Sequence, residues 1–370
     1  MERLGPEGVA DSTVVCAHRP GVAMAVLNLH GERYQVSTSV LLGDAVSLSA
    51  DWYEPGSSIP DGSYAIFRAD DAQAEVLTDA CASRTVWWYA DERLFVASTS
   101  QRAIAYCIGS PPILDGETMA WTLSSGMMGP GRSWDSRVRC LGAGERVVLD
   151  LKSWRSTHLR ERRHDWRLGG KPRRVENQIV ASALKSALGD RNWDSPPWCL
   201  PLSGGYDSRA IRASLPKPDE ITCVTWGVEP TMADETSDMR VAGRVAEAMG
   251  AEHQLVFLDA EQPPAETVVR RFVQQSEGRI DNLSGYTDGF AVWRQLRELG
   301  FSGIIRGDSP FCRREAGDAQ PAPYRGWGAP SAAEWQLLPS STRLARTWSM
   351  LRFVDYSDAR VRRLAHEFPD

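Results

Sequence analysis

The segment Ser203-Gly204-Gly205-Tyr206-Asp207-Ser208 directly follows the apolar run Trp198-Cys199-Leu200-Pro201-Leu202. A strand that runs into a glycine-rich turn and then a helix suits a phosphate-like anion. Backbone N–H groups and the positive helix end converge on it, and glycine lets the backbone approach. The turn lacks the Lys of GxxxxGK[ST], so it is poorly suited to clamp a terminal phosphate alone. Asp207 makes sense if Mg²⁺ stands between its carboxylate and the phosphate oxygens. A second carboxylate, in Gly307-Asp308, follows the run Ser302-Gly303-Ile304-Ile305-Arg306. Two carboxylates facing one polyphosphate would repel it unless a hard cation neutralised both. The plain alternative is an ordinary Gly-rich strand–helix turn, with Asp308 a turn residue.

These residues need a frame, and the pattern from about 173 onward supplies one. Val175, Ile179, Ala183, Leu184 and Leu188 recur at helical spacing before Gly189. The strand ending at Leu202 follows, then the Gly-rich turn and a short helix broken at Pro216. Ile221 to Trp226 reads as a second strand, Met239 to Met249 as an amphipathic helix stopped by Gly250, and Gln254 to Leu258 as a third strand. Phe290, Trp293, Leu296 and Leu299 line a further helix ending at Gly300, and Ser302 to Arg306 is a fourth strand. Alternating β and α predicts a parallel sheet covered on both faces, with ligands at the carboxyl ends of the strands. Pro201 inside the first strand should mark a local irregularity.

Residues from about 13 to 152 read differently. Short apolar runs such as Val22–Leu27, Tyr64–Phe67, Thr85–Tyr89 and Arg146–Leu149, broken by Gly, Pro and Asp, predict an antiparallel, sandwich-like domain. Between the halves the chain is basic, from Arg155 to Arg174. This reads as a solvated connector, with a polyanion, peptide or tRNA contact as the alternative.

A chain of 370 residues holds one to three domains, and 42% hydrophobic with 24% charged residues is an ordinary globular balance. The net charge of −6 argues against nucleic acid or an anionic membrane as partner. The scattered, odd set of seven cysteines has no CxxC pair, which reads as reduced thiols. No signal-peptide-like start and no bilayer-length apolar run are present, so a cytoplasmic protein is expected.

The pattern SGGxDS resembles the signature of the ATP-pyrophosphatase (PP-loop) group, which splits ATP between the α- and β-phosphates. With it, Val224-Thr225-Trp226-Gly227, the stretch Ser237–Ala242 closing in Gly250-Ala251-Glu252-His253, and Gly307–Phe311 resemble successive blocks of the asparagine-synthetase superfamily. That superfamily includes asparagine synthetase, β-lactam synthetase and the lasso-peptide macrolactam cyclases. Gly62–Phe67, Leu77-Thr78-Asp79, Trp87-Trp88-Tyr89 and Phe95–Ser98 are similar to its N-terminal glutaminase-like domain. The resemblance implies an α/β protein. An Ntn-type, β-rich sandwich would occupy 1–155, the basic connector 156–172, and a parallel-sheet PP-loop ATP-pyrophosphatase domain 173–370.

Carried over, ATP would be bound by Leu202, Ser203, Gly204, Gly205, Asp207, Ser208, Val224, Trp226 and Gly227. Ser203, Gly205 and Ser208 would hold the pyrophosphate portion, and the backbone near Trp226 would line the adenine site. For the Trp226 side chain a core role stands equally. Asp207 and Asp308 would share Mg²⁺ and, with Arg306, form the catalytic set. For Asp238 a cap or structural hydrogen bond ranks ahead of function, and His253 reads as structural.

Departures from the family narrow the expected reaction. Position 2 is Glu2 rather than the Cys nucleophile of an active glutaminase, and Cys16 would serve only after removal of a propeptide. The Asn-Gly-Glu glutamine-binding segment is not evident, so the first domain reads as an inactive scaffold. The lysines are Lys152, Lys171, Lys185 and Lys217, all before the region of the family's C-terminal catalytic lysine. Arg343, Arg346 or Arg352 would have to replace it, with different geometry. The chain also stops at Asp370, earlier than the family's synthetase domain. The expected activity is ATP-dependent amide-bond formation on a carboxylate, of the macrolactam-cyclase type. Its partners would be a precursor peptide and a protease or peptide-recognition protein. The alternatives are a degenerate ATP- or peptide-binding partner of a biosynthetic complex, an asparagine-synthetase-like ligase using free ammonia, and a tRNA-modifying PP-loop enzyme.

Overall fold

The computed structural model describes residues 4, 14–27, 35–46, 48–125, 128–129, 131–160, 177–189, 197–258, 263–280, 283 and 290–306. Residues 161–172 of the expected connector, residues 173–176, Gly307, Asp308, Arg343, Arg346 and Arg352 lie outside them. The chain divides into two compact units. Of the described residues, the first takes those up to 160 together with 273–280, and the second takes 177–272 and 283–306.

The first unit is built from antiparallel strands. A hairpin pairs β1 (Val14–Arg19) with β2 (Val22–Leu27). Strands β3 (Gln35–Val36), β4 (Ser39–Val46), β5 (Asp61–Ala69) and β6 (Gln73–Thr78) lie side by side. β7 (Trp87–Ala90), flanked by β8 (Phe95–Ser98) and β9 (Arg139–Cys140), forms a second sheet. β10 (Glu145–Asp150) and β11 (Arg155–Arg160) extend the first sheet, giving the order β11-β10-β6-β5-β4-β3.

Strict alternation separates the two faces of β5. Ala65 and Phe67 pack with Val76, Val147, Trp88 and Phe95 in one cluster shared by both sheets. Tyr64 and Ile66 point the other way, onto Trp52, Ile59 and Leu77. The far face of the smaller sheet, carrying Trp87, is covered by Ile104 of helix α1 (Gln101–Ile108).

Two helices interrupt a region whose sequence reads as strand throughout. α1 runs between an N-cap at Ser100 and a left-handed C-cap at Gly109, and α2 (Gly116–Ser125) follows Asp115, whose carboxylate accepts from Glu117 N. β11 also carries five residues of the expected connector, 156–160, into the sheet, although every position of it is exposed.

The second unit is the predicted parallel sheet. After α3 (Asn177–Gly189), the chain runs through β12 (Trp198–Pro201), α4 (Tyr206–Ser214), β13 (Thr222–Val228), α5 (Asp238–Ala248) and β14 (His253–Leu258). α6 (Ala265–Ser276), which the sequence reading missed and whose last residues, from Val273, belong to the first unit, α7 (Ala291–Glu298) and β15 (Gly303–Ile304) complete it. The sheet order is β14-β13-β12-β15, with every pairing parallel. Leu200 and Cys223 bury one face under Ile211, Leu215, Ala242 and Ala246, from α4, its C-cap and α5. Cys199, Val224 and Val256 bury the other under Val292 and Leu296 of α7.

β15 is shorter than the expected 302–306 and pairs only with Trp198 and Cys199. Pro201 is the last position of β12, two residues past Cys199, whose carbonyl accepts the final β15-side bond from Ile305 N at 2.9 Å, so a proline without an N–H stands where that ladder stops. Among the described residues no helix is long and apolar enough to cross a membrane.

Candidate functional site

From β12 the chain proceeds to β13 and then β14 on one side, and returns to β15 on the other. The carboxyl end of β12 is therefore the topological switch point, where open α/β sheets leave a crevice. The Ser203–Ser208 loop leaves the sheet at this point. Leu202 N still donates to the Val224 carbonyl at 2.8 Å, and the next residues turn away.

The loop is wired to itself. Ser203 N donates to Ser208 Oγ at 3.3 Å and Gly205 N to Ser203 Oγ at 3.2 Å. Arg209 engages the loop carbonyls, with Nε to Gly205 O at 3.1 Å and an Nη to Gly204 O at 3.4 Å, while stacking on Tyr206. α4 begins at Tyr206 with Gly205 as N-cap, so no side chain caps the helix. The opening N–H groups of a helix have no intrahelical acceptor. Together with the helix dipole they leave a donor-rich, positive end bordering a crevice.

That crevice is a cavity of about 280 Å³ lined by Pro201, Leu202, Ser203, Gly205, Asp207, Ser208, Val224, Thr225, Trp226, Asp238 and Arg306. Of the residues singled out in the sequence, the fold gathers Leu202, Ser203, Gly205, Asp207, Ser208, Val224, Trp226 and Arg306 around one space. Gly204 and Gly227 stand behind the wall, against Val241 and Met239 of α5. Asp308 falls outside the described residues.

Trp226 is half-buried, 6.1 Å from the Trp293 ring, and it serves both the core and the cavity wall. Arg306, exposed just past β15, has its guanidinium 5.7 Å from the Trp293 centroid.

Asp238 corrects the sequence reading. The cap of α5 is Ser237, whose side chain accepts from Arg240 N, while Asp238 is the first helical residue and lines the cavity. Ser-Asp at a helix start offers two candidate caps one residue apart, and only the helix phase decides between them. Thr225 was also missed as a wall residue. Its buried hydroxyl ties β13 to Leu202 and to His253, which keeps the structural role expected for His253.

The donor set suits a nucleotide polyphosphate. A glycine-capped helix end is paired with a carboxylate at Asp207 for a hard cation, and the half-buried Trp226 offers apolar surface for a base, whereas the Val224 side chain is buried in the core. The volume is close to the lower end of ligand cavities, about 300–1,000 Å³. Among the described residues no cluster of three metal-ligating groups occurs, so Asp207 alone of the two expected metal ligands stands in the described site.

In the first unit, Cys16 lies within β1, paired with Ala25 in the hairpin. Burial raises the Cys140 and Cys199 thiols to about 11, so neither is an activated nucleophile at neutral pH.

Residues 180–286 match the asparagine synthase family model. Among solved structures, the chain is similar to an NH3-dependent NAD synthetase from Campylobacter jejuni, with 13% identity over 36% of this chain and 58% of that one and a TM-score of 0.25. It is also similar to a structure described as the allosteric regulatory enzyme of purine biosynthesis, with 12% identity over 66% of this chain and 46% of that one and a TM-score of 0.19. In each case the match spans less than two thirds of the other chain. No curated protein matches.

Proposed function

We propose that the chain is an ATP-dependent synthetase that joins a carboxylate to an amine, releasing AMP and pyrophosphate. The observation that carries this reading is the uncapped N-terminus of α4, set at the switch point of a parallel sheet inside the segment that matches asparagine synthases.

MgATP, when bound, would supply the adenylyl group that turns a carboxylate into a good acyl donor. The work of the protein is then positioning and charge management. The Ser203–Ser208 loop and the α4 N-terminus would hold the β- and γ-phosphates as they leave as pyrophosphate. Asp207 would hold the metal that neutralises them, with Asp308 as its second expected ligand. Trp226 would shelter the base, with the β13 backbone at Val224 beside it. Arg306 would stand by the α-phosphate, where negative charge develops when a carboxylate oxygen attacks phosphorus. In the second step the amine attacks the acyl carbon, loses its proton, and expels AMP.

The finer reading is macrolactam formation within a peptide, with both reacting groups on one precursor. The lack of an Asn-Gly-Glu glutamine-binding segment in this sequence supports it, because glutamine-derived ammonia is then not the expected nucleophile. Incubation with MgATP and a peptide bearing an Asp or Glu side chain and a free amine should yield AMP and pyrophosphate, and a product lighter by one water. Release of ADP and phosphate would overturn the reading.

A further inference from the structure

We infer that the first turn of α5 is the common seat of this site, with Val241 and Met239 as positioning residues for the bound nucleotide; the inference rests on the ATP reading above. Both cavity walls lean on this turn. A Cβ built on Gly204 would stand 2.7 Å from Val241 Cγ1 and 3.4 Å from Val241 Cβ. One built on Gly227 would stand 2.5 Å from Met239 Sδ and 3.0 Å from Met239 Cγ. Gly204 is the residue between Ser203 and Gly205 of the phosphate-side wall, and Gly227 follows Trp226 of the aromatic wall. The same turn sends Asp238 into the cavity.

The turn is itself held from several directions. Ser237 caps it, and Val241 N donates to Ser237 O at 2.9 Å. Thr231 Oγ1 donates to Val228 O at 2.7 Å and approaches Met239 Sδ at 3.6 Å. Glu235, in the loop before the helix, pairs with both Arg240 and Arg244. A site whose walls rest on one braced helical turn is held in its working geometry before the ligand arrives.

The two contacts differ in stiffness, and this separates a positioning role from simple packing. Val241 is β-branched, with one strongly preferred rotamer on a helix, so it cannot swing away from a methyl group at Gly204. Met239 is unbranched and adaptable, so a methyl group at Gly227 is accommodated more cheaply. Gly204→Ala should therefore displace the loop, and Val241→Ala should let it return.

The test measures MgATP affinity, and KM against kcat once a substrate is in hand, for the wild type, Gly204→Ala, Val241→Ala, Gly204→Ala/Val241→Ala and Gly227→Ala, with thermal melts as the check on folding. Gly204→Ala should weaken binding about tenfold or more, in keeping with the cost of overpacking. The double variant should return to within about threefold of Val241→Ala, Gly227→Ala should lose less than Gly204→Ala, and KM should rise with kcat little changed. A double variant as weak as Gly204→Ala alone, or a Gly204→Ala variant that binds like the wild type, would overturn the inference. If the wild type itself binds no nucleotide, the ATP reading fails first and the inference falls with it.

Discussion

Thr225 Oγ1 donates to the carbonyl oxygen of Leu202 at 2.7 Å, binding β13 to the residue from which the Ser203–Ser208 loop departs. A hydroxyl has one proton, so at His253, 2.8 Å away, the same oxygen accepts, and His253 Nε2 carries the hydrogen. Thr225→Val keeps the shape but leaves a buried carbonyl and an imidazole N–H without this partner. The expected cost is about 1–3 kcal/mol in denaturant unfolding, with MgATP affinity weakened in parallel. An unchanged unfolding midpoint would remove this tether from the account.

The same contact has a pH signature. Burial holds the His253 pKa below its ordinary value of 6.5. The unfolded chain then takes up a proton near pH 6.5 that the folded chain resists, so the contribution is fully present above that pH. It is lost as pH falls below 6.5 toward the folded value, and is flat beneath it. Stability measured from pH 8 to pH 5 should fall more steeply for the wild type than for His253→Gln. Parallel profiles would contradict this assignment.

Glu277 reaches back across the sequence to start a helix in the first unit. Its carboxylate accepts from Ser100 Oγ, from Gln101 N at 2.5 Å and from Arg102 Nε at 3.3 Å. Ser100 also caps α1 through Ala103 N. An acidic group at a helix N-terminus that satisfies a backbone N–H resembles a cap in its energetics, so Glu277→Ala should destabilise by about 1–2 kcal/mol. Glu277→Gln should recover part of that by keeping an acceptor. Thermal melts of the two variants decide it, and equal losses would argue that only the charge matters.

Trp293 places Arg306. An exposed guanidinium over an indole face gains about 0.5–1 kcal/mol, so Trp293→Leu should raise the KM for ATP by about two- to fivefold through a less ordered Arg306. Arg306→Ala should cost more, because it removes the charge itself. Identical kinetics in Trp293→Leu and wild type would show that Arg306 is held by other means.

Much of the sheet was legible because its residues repeat their environment. Cys199 and Leu200 alternate between faces, as do Cys223 and Val224, and a parallel strand buried on both sides reads as a continuous apolar run. The Gly-rich loop was legible for a different reason, since glycine at the end of such a run has a steric purpose.

The misses follow equally physical lines. α1 lies among strands and is short, and its evidence was the Ser100 and Gly109 pair of caps rather than its apolar count. α6 follows Pro263-Pro264, with Val268 and Phe272 one turn apart. β11 is exposed at every position, so no alternation marks it as a strand. The role of Glu277 depends on a contact 177 residues distant in the chain, which no local pattern encodes.

The most direct measurement is MgATP binding by calorimetry, with and without Mg²⁺, for the wild type and Asp207→Ala. The account predicts binding that requires Mg²⁺ and falls by at least about tenfold in the variant, since a lone carboxylate beside a polyphosphate is favourable only through a shared cation. Binding that is indifferent to Mg²⁺ and to Asp207, or no binding in the wild type, would contradict the claim that the Ser203–Ser208 loop is an adenylation site.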